Sequence, residues 1–136
     1  MIPARTREPI DLTRLLSAVG DAGRGGTVVF LGSVRRSEED GPVEGIDYSA
    51  YEEMLDEEFQ RITAEAEKRW RGVRCVGQHR LGVVPVGEPS IAVVAAAPHR
   101  DQAFAACRWI MEEAKARLPV WKRLQLEDRE QQWKDA

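Results

Sequence analysis

"SIAVVAAAPHRDQAFAACRWIMEEAKARLPVWKR", residues 90 to 123, holds the reading on which the fold turns. Ser90 to Ala97 is a run of small and β-branched residues without a charge, bounded by proline on both sides, and it reads as a strand buried on both faces. From about Asp101 to Leu118 the apolar residues return at helical spacing, with Phe104, Cys107, Met111 and Ala114, and Arg108 or Trp109 beside them, near an inner stripe. Pro119 stops that helix. It has no N–H to give, its φ is fixed, and it pushes Leu118 out of the α region. Lys122 then sits on an extended or turning segment able to fold back toward Lys115. A strand that needs cover on both faces, followed at once by a long helix, calls for a mixed α and β layer.

Outward from this stretch the chain keeps the same character. "DLTRLLSAVG", residues 11 to 20, is a short helix with Asp11 before it and Gly20 after. "GGTVVFLGSV" predicts a largely buried strand from about Thr27 to Val34. The polar "RRSEEDGPVEG", residues 35 to 45, reads as a mobile surface loop. "GIDYSAYEE" alternates Ile46, Tyr48 and Ala50, a second strand expected to pair with the first. From about Glu53 to Arg71, Met54, Leu55, Phe59, Ile62, Ala66 and Trp70 mark an amphipathic helix. "VRCVGQHRLGVVPVGEPSIAVVAAAP", residues 73 to 98, supplies two or three strands, with His79 and Arg80 on one of them and given no role. The tail from Leu124 is charged and aperiodic, and is read as irregular. The fold class is α+β: one domain over residues 1–136, a mixed or mostly antiparallel sheet covered by two long helices, an N-terminal helix region over 1–24 and an irregular tail over 124–136.

A chain of 136 residues buries about two-thirds of the surface its unfolded form exposes, so no staple is needed. Cys75 and Cys107 match no metal or redox spacing and read as reduced, buried small hydrophobes. The first residues lack the apolar core of a signal peptide, and no window approaches the roughly 20 apolar residues of a membrane span. A soluble, cytoplasmic protein is expected. Net charge is −3, which gives a nucleic-acid partner no global support. The charge is uneven, with ten acids against one base from Arg36 to Glu58 and six bases against three acids from His99 to Arg123.

Three polar groups stand at element boundaries: Arg35 past the first strand, His99 with Arg100 at a helix start, and the Lys115 to Lys122 segment with Arg123. Backbone N–H groups at a helix start attract anions, and Arg100 adds a planar donor fork suited to phosphate. As cations the lysines would stabilise negative charge developing in a transition state. As a base or nucleophile a lysine must be neutral, and clustering with other cations favours that state. Composition alone leaves both uses open. Trp121 reads as an apolar anchor for the segment after the proline. No dinucleotide fingerprint, P-loop, zinc-protease helix or nucleophilic-serine elbow is present.

The pieces "GGTVVFLGSVR", "VEGIDYSAYEEM", "HRLGVVPVGE" and "VVAAAPHRDQAFAACRWIMEEAKARLPVWKR" occur in one order over about Gly25 to Arg123. In them the chain strongly resembles the large, catalytic subunit of molybdopterin synthase. The resemblance implies an α/β hammerhead fold, a homodimer, and a small ubiquitin-like sulfur-carrier subunit at each end of a heterotetramer. It implies that the carrier's C-terminal Gly-Gly thiocarboxylate supplies two sulfurs that convert cyclic pyranopterin monophosphate, precursor Z, into the dithiolene of molybdopterin. No cofactor or metal is implied, and the carrier is expected to be a separate polypeptide. By position, Lys115 and Lys122 match the family's active-site lysines, and Arg35, His99 and Arg100 its substrate anchors, the last two reaching the pocket from the neighbouring subunit. Ser33 and Val34 fall at the strand end lining the pocket, and Arg123 and Leu124 follow the second lysine. Ser33 stands where many relatives carry a larger or basic residue, and Leu124 replaces a common glutamate. The rival readings are a non-catalytic module that binds a phosphometabolite or a partner's tail, and an RNA-binding domain. Local positive charge and scattered tryptophans speak against the second.

Overall fold

The computed structural model describes residues 2–36, 42–126 and 131–135. The uncharged run forms β6 (Pro89–Ala97), and it is covered on both sides. Ala92, Val94 and Ala96 pack with Leu15 and Val19 of α1 (Leu12–Val19). Val93, Ala95 and Ala97 face the main core, built with α2 (Glu52–Arg69) and α3 (Arg100–Arg117). Alternate side chains point to opposite faces of a strand, so an apolar run without alternation suits this middle layer.

Two four-stranded sheets result. The first has the order β1-β4-β6-β2, with β1 (Arg5–Thr6) parallel to β4 (Arg74–Arg80), and β6 antiparallel to both β4 and β2 (Gly26–Ser33). The second is antiparallel with the order β5-β3-β7-β8, from β5 (Gly82–Pro85), β3 (Val43–Ala50), β7 (Val120–Leu126) and β8 (Gln131–Asp135). The α+β class holds, but several expectations change. β2, expected to be largely buried, is an outer strand with Val29, Phe30 and Leu31 exposed. β3 does not pair with β2: its in-and-out alternation fixed which face is buried and left its neighbours unspecified, and these are β5 and β7. The tail is not irregular, because Leu124 to Leu126 extend β7 and β8 pairs with it from Trp121↔Asp135 to Gln125↔Gln131. Of the expected loop, residues 37–41 lie outside the described residues, and Val43 to Gly45 already belong to β3.

Local chemistry explains the helix limits. The Asp11 carboxylate accepts from the Arg14 N–H and caps α1. α3 ends as the proline demands, with Leu118 extended at φ −70° and ψ 132° while its N–H still donates to the Ala114 carbonyl. The stripe that α3 buries is Ala103, Ala106, Cys107, Ile110 and Ala114, mostly small side chains that let the helix approach the sheet closely. Phe104, expected inside, is 61% exposed. On α2, Leu55, Phe59, Ile62 and Ala66 are buried and Met54 is exposed. Both cysteines are free and buried, and burial pushes the Cys107 thiol up to about 11.

Candidate functional site

The turn at Leu118 to Val120 sends the chain back along β3, where Lys122 pairs with Tyr48. Lys122 therefore returns to the C-terminal end of α3, which carries Lys115, and both lysines line one cavity of about 340 Å³. Its polar lining comes from six elements, one group from each: Ser33 of β2, Tyr48 of β3, His79 of β4, Ser90 of β6, Lys115 of α3 and Lys122 of β7, with Phe30 and Met111 in the apolar wall. Neither ammonium group has an ion pair or hydrogen bond among the described residues, although the chain carries more acids than bases. Arg117, two residues from Lys115, differs completely. It is held by Glu58 at 2.7 Å, Glu65 at 2.6 Å and Glu113 at 3.3 Å. The acids nearby are thus committed to Arg117, which leaves the cavity cationic.

The cavity floor is formed by buried polar side chains, Tyr48, His79 and Ser90. The His79 ring is 6% exposed and stands edge-on to Tyr48, with ring centres 5.0 Å apart. Its Nδ1 lies 2.8 Å from the Arg80 carbonyl oxygen, which only accepts, so Nδ1 carries the proton. Burial pushes the imidazole below its ordinary range, against the pull of that hydrogen bond, and favours the neutral ring. Burial also raises the Tyr48 phenol, opposed by the neighbouring Ser90 hydroxyl, which itself donates to the Gly32 carbonyl at 3.2 Å. Sequence reading gave His79 no role and did not single out Tyr48 or Ser90. A signal was present in hindsight: a histidine and a tyrosine at inward positions of two strands are polar groups that need a reason to be buried.

Other predicted residues fall elsewhere. Val34 and Leu124 are core side chains and do not line the cavity. Arg123 points to the other face of the second sheet, where it donates to Asp47 at 3.0 Å, because β-strand neighbours alternate. Arg35 is exposed just past β2. His99 and Arg100 border a separate open depression with Gly25 and Gly26. Arg100 and Lys115 stand at opposite ends of α3, about 22 Å apart at 1.5 Å per residue. One chain therefore brings Ser33, Lys115 and Lys122 together and leaves His99 and Arg100 remote. Trp121, expected as an apolar anchor, packs edge-to-face on the exposed Tyr51 ring with centres 4.9 Å apart and is not part of the core.

A larger groove of about 500 Å³ between α1, α2 and β4 contains Cys75 and Glu67 but no lysine. Burial, and then the Glu67 carboxylate beside it, pushes the Cys75 thiol far above its usual range, so it is no nucleophile. No group of three or more His, Cys, Asp or Glu among the described residues is disposed to hold a metal ion, and no helix among them is long and apolar enough to cross a membrane.

The family model described as MoaE protein matches residues 5–117. The molybdopterin synthase catalytic subunit of Pyrococcus abyssi is 43% identical over 116 residues, covering 85% of this chain and 78% of that one. A solved structure of molybdopterin synthase from Staphylococcus aureus superposes with a TM-score of 0.93 at 26% identity, over 98% of this chain and 97% of that one. A complex of subunits 1 and 2 of molybdopterin-converting factor from Helicobacter pylori shares the fold at a TM-score of 0.76 and 23% identity, over 97% and 88% of the two chains. The lysine cavity thus lies in a fold shared with molybdopterin synthases, and the chain belongs to the MoaE protein family, that of the molybdopterin synthase catalytic subunits.

Proposed function

We propose that this chain is the sulfurtransferase subunit that builds the dithiolene of molybdopterin from cyclic pyranopterin monophosphate, taking two sulfurs from the C-terminal thiocarboxylate of a small carrier protein. One observation carries the reading: two ammonium groups without partners among the described residues converge on one partly apolar cavity of a protein rich in acids. The substrate carries a phosphate, the carrier tail ends in an anion, and attack by sulfur develops further negative charge. Fixed cations in a site of low dielectric stabilise that charge without reorganising. Lys115, on the rigid end of α3, takes part in acid–base or transient covalent chemistry. Lys122, on β7 across the cavity, holds the carrier tail. The Helicobacter pylori complex joins two subunits, which supports a carrier as a separate partner here. The setting of this chemistry is the cytoplasm.

The working unit is a homodimer whose sites are shared. Among the described residues β2 is the outer strand of its sheet with one edge unpaired, and Val29, Phe30 and Leu31 on it are exposed, as is Phe104 of α3. A second copy pairing antiparallel there, centred near Phe30, sets Gly26 of one copy against the Val34 end of the other. Gly26 sits so close to α3 that a Cβ on it would lie 3.0 Å from the Arg100 Cα. His99 and Arg100 of each copy then reach the lysine cavity of its mate, bridging the span of about 22 Å that one chain cannot.

Purified Lys115→Ala, mixed with thiocarboxylated carrier and cyclic pyranopterin monophosphate, should make product at least 100-fold more slowly, the scale of a lost acid–base group. Near-normal turnover refutes the role of Lys115 and leaves the module that only binds.

A further inference from the structure

The cavity contains one group that the anion chemistry does not use. His79 is buried, its Nδ1–H is spent on the Arg80 carbonyl, and its Nε2 has no partner among the described residues although the ring lines the cavity. Nε2 is not among the buried polar atoms left without a partner, so it opens on the cavity. A ligand that covers it without offering a donor strands it, and a ligand that supplies the donor avoids that cost. The lysines offer only donors, and the hydroxyls of Ser33, Tyr48 and Ser90 can serve either way. Among the lining residues, His79 Nε2 is therefore the one side-chain nitrogen or oxygen that accepts and cannot donate while the ring is neutral.

We propose that His79 is a substrate-specificity residue: its Nε2 accepts a hydrogen bond from a neutral N–H or amino donor on the heterocycle of the bound substrate, while Lys115 and Lys122 hold the anionic groups. This rests on the sulfurtransferase reading and deepens it by dividing the cavity into a cationic rim and a neutral accepting floor. The division has a chemical reason. Cations alone would take any small phosphate or carboxylate, whereas a pterin is marked by its N–H and amino edge. A site built to hydrogen-bond a donor rejects ligands without one, because its own acceptor is then stranded. The fold keeps the acceptor in order: the Arg80 carbonyl fixes the tautomer, and the Tyr48 edge at 5.0 Å fixes the ring plane. Burial holds the ring neutral beside two ammonium groups, and a protonated ring would turn Nε2 into a donor and add a third positive charge.

Two variants test the assignment. His79→Phe keeps a flat ring against Tyr48 and removes the acceptor, and His79→Gln returns an acceptor oxygen near the Nε2 position. Each is first shown to be folded by its circular dichroism and thermal midpoint. Binding of cyclic pyranopterin monophosphate is then measured by calorimetry without carrier, and KM and kcat with thiocarboxylated carrier. His79→Phe should weaken binding and raise KM by about 10- to 100-fold, the scale of one stranded hydrogen-bonding group, with kcat within threefold of the wild type. His79→Gln should recover most of the binding, and inorganic phosphate should bind all three proteins alike. A folded His79→Phe that binds substrate as the wild type does overturns the assignment, as does a His79→Gln as weak as His79→Phe. Those results leave the enzyme reading standing if the wild type turns over. A wild type that makes no product under the same conditions refutes the sulfurtransferase reading and takes this assignment down with it.

Discussion

At the scale of the residue, the chain is most sensitive where the backbone of one element touches the side chain of another. Gly77 of β4 lies flat under the Phe59 ring of α2, and a Cβ there would overlap that ring. Phe59 is buried, so its ring must shift to make room for the added methyl. Gly77→Ala should cost about 1–3 kcal/mol of stability through overpacking, read as a lower urea midpoint with an unchanged slope. A midpoint equal to the wild type's would mean that the sheet and α2 can separate without loss. His79 makes a second prediction, of pH dependence. Its folded pKa is depressed below the ordinary 6.5, so the unfolded chain takes up a proton first as pH falls. The stability it contributes is complete above about 6.5 and drains as pH drops toward the folded value, by at most about 1.4 kcal/mol per pH unit. His79→Gln should flatten that part of the pH–stability curve. A wild-type curve already flat from pH 7 to 5 argues that the ring is charged in the fold.

At the scale of the element, Arg117 decides where Lys115 stands. Its guanidinium ties the last turn of α3 to Glu58 and Glu65 of α2, and the same network keeps acids away from the lysines. The Arg117 hydrogen bond, first among several causes, holds the Glu58 carboxyl below its ordinary 4.5. A depressed carboxyl adds stability above the unfolded value and loses it as pH falls through the folded one. Arg117→Met should therefore cost about 1–2 kcal/mol at pH 7, since its three partners are only partly shielded, and the gap to the wild type should close below about pH 4. A gap that persists in acid would assign the loss to packing of the arginine stem. This clamp was invisible in the sequence, where Arg117 was one more charge on a helix. What could be read was local: the uncharged run of β6, the stop at Leu118 and the cap at Asp11 are each written within a few neighbouring residues. The pairing of β3 with β7, and hence the meeting of Lys122 with Tyr48 and His79, depends on contacts between segments far apart in sequence. Alternation says that Tyr48 faces inward. It does not say which strand lies beside it, and for the same reason Phe104 passed for a core residue when it is exposed.

At the scale of the whole molecule, the distance along α3 carries an argument that no single side chain can. Lys115 and Arg100 belong to one proposed site and yet lie about 22 Å apart in one chain, so a complete site needs one residue from each of two copies. Complementation tests this directly. Lys115→Ala and Arg100→Ala homodimers should each be weak, the second chiefly in KM through loss of charge-assisted hydrogen bonds worth about 1.5–3 kcal/mol. Mixed, unfolded together and refolded, half of the dimers pair one chain of each kind. Such a dimer has one site with both defects and one with none, because the intact Lys115 of the Arg100→Ala chain meets the intact Arg100 of its mate. Activity should rise to about a quarter of the wild-type value, half the dimers carrying one working site of two. If each chain held its own complete site, both sites of every mixed dimer would keep a single defect, and mixing would give only the average of the two parents. Leu31→Glu, which places a charge beside the centre of the β2 edge and outside the cavity lining, should give monomers on a sizing column and abolish both the activity and the rescue. A monomeric Leu31→Glu with full activity would mean that the cations of one chain suffice, and would return His99 and Arg100 to the ordinary surface of the protein.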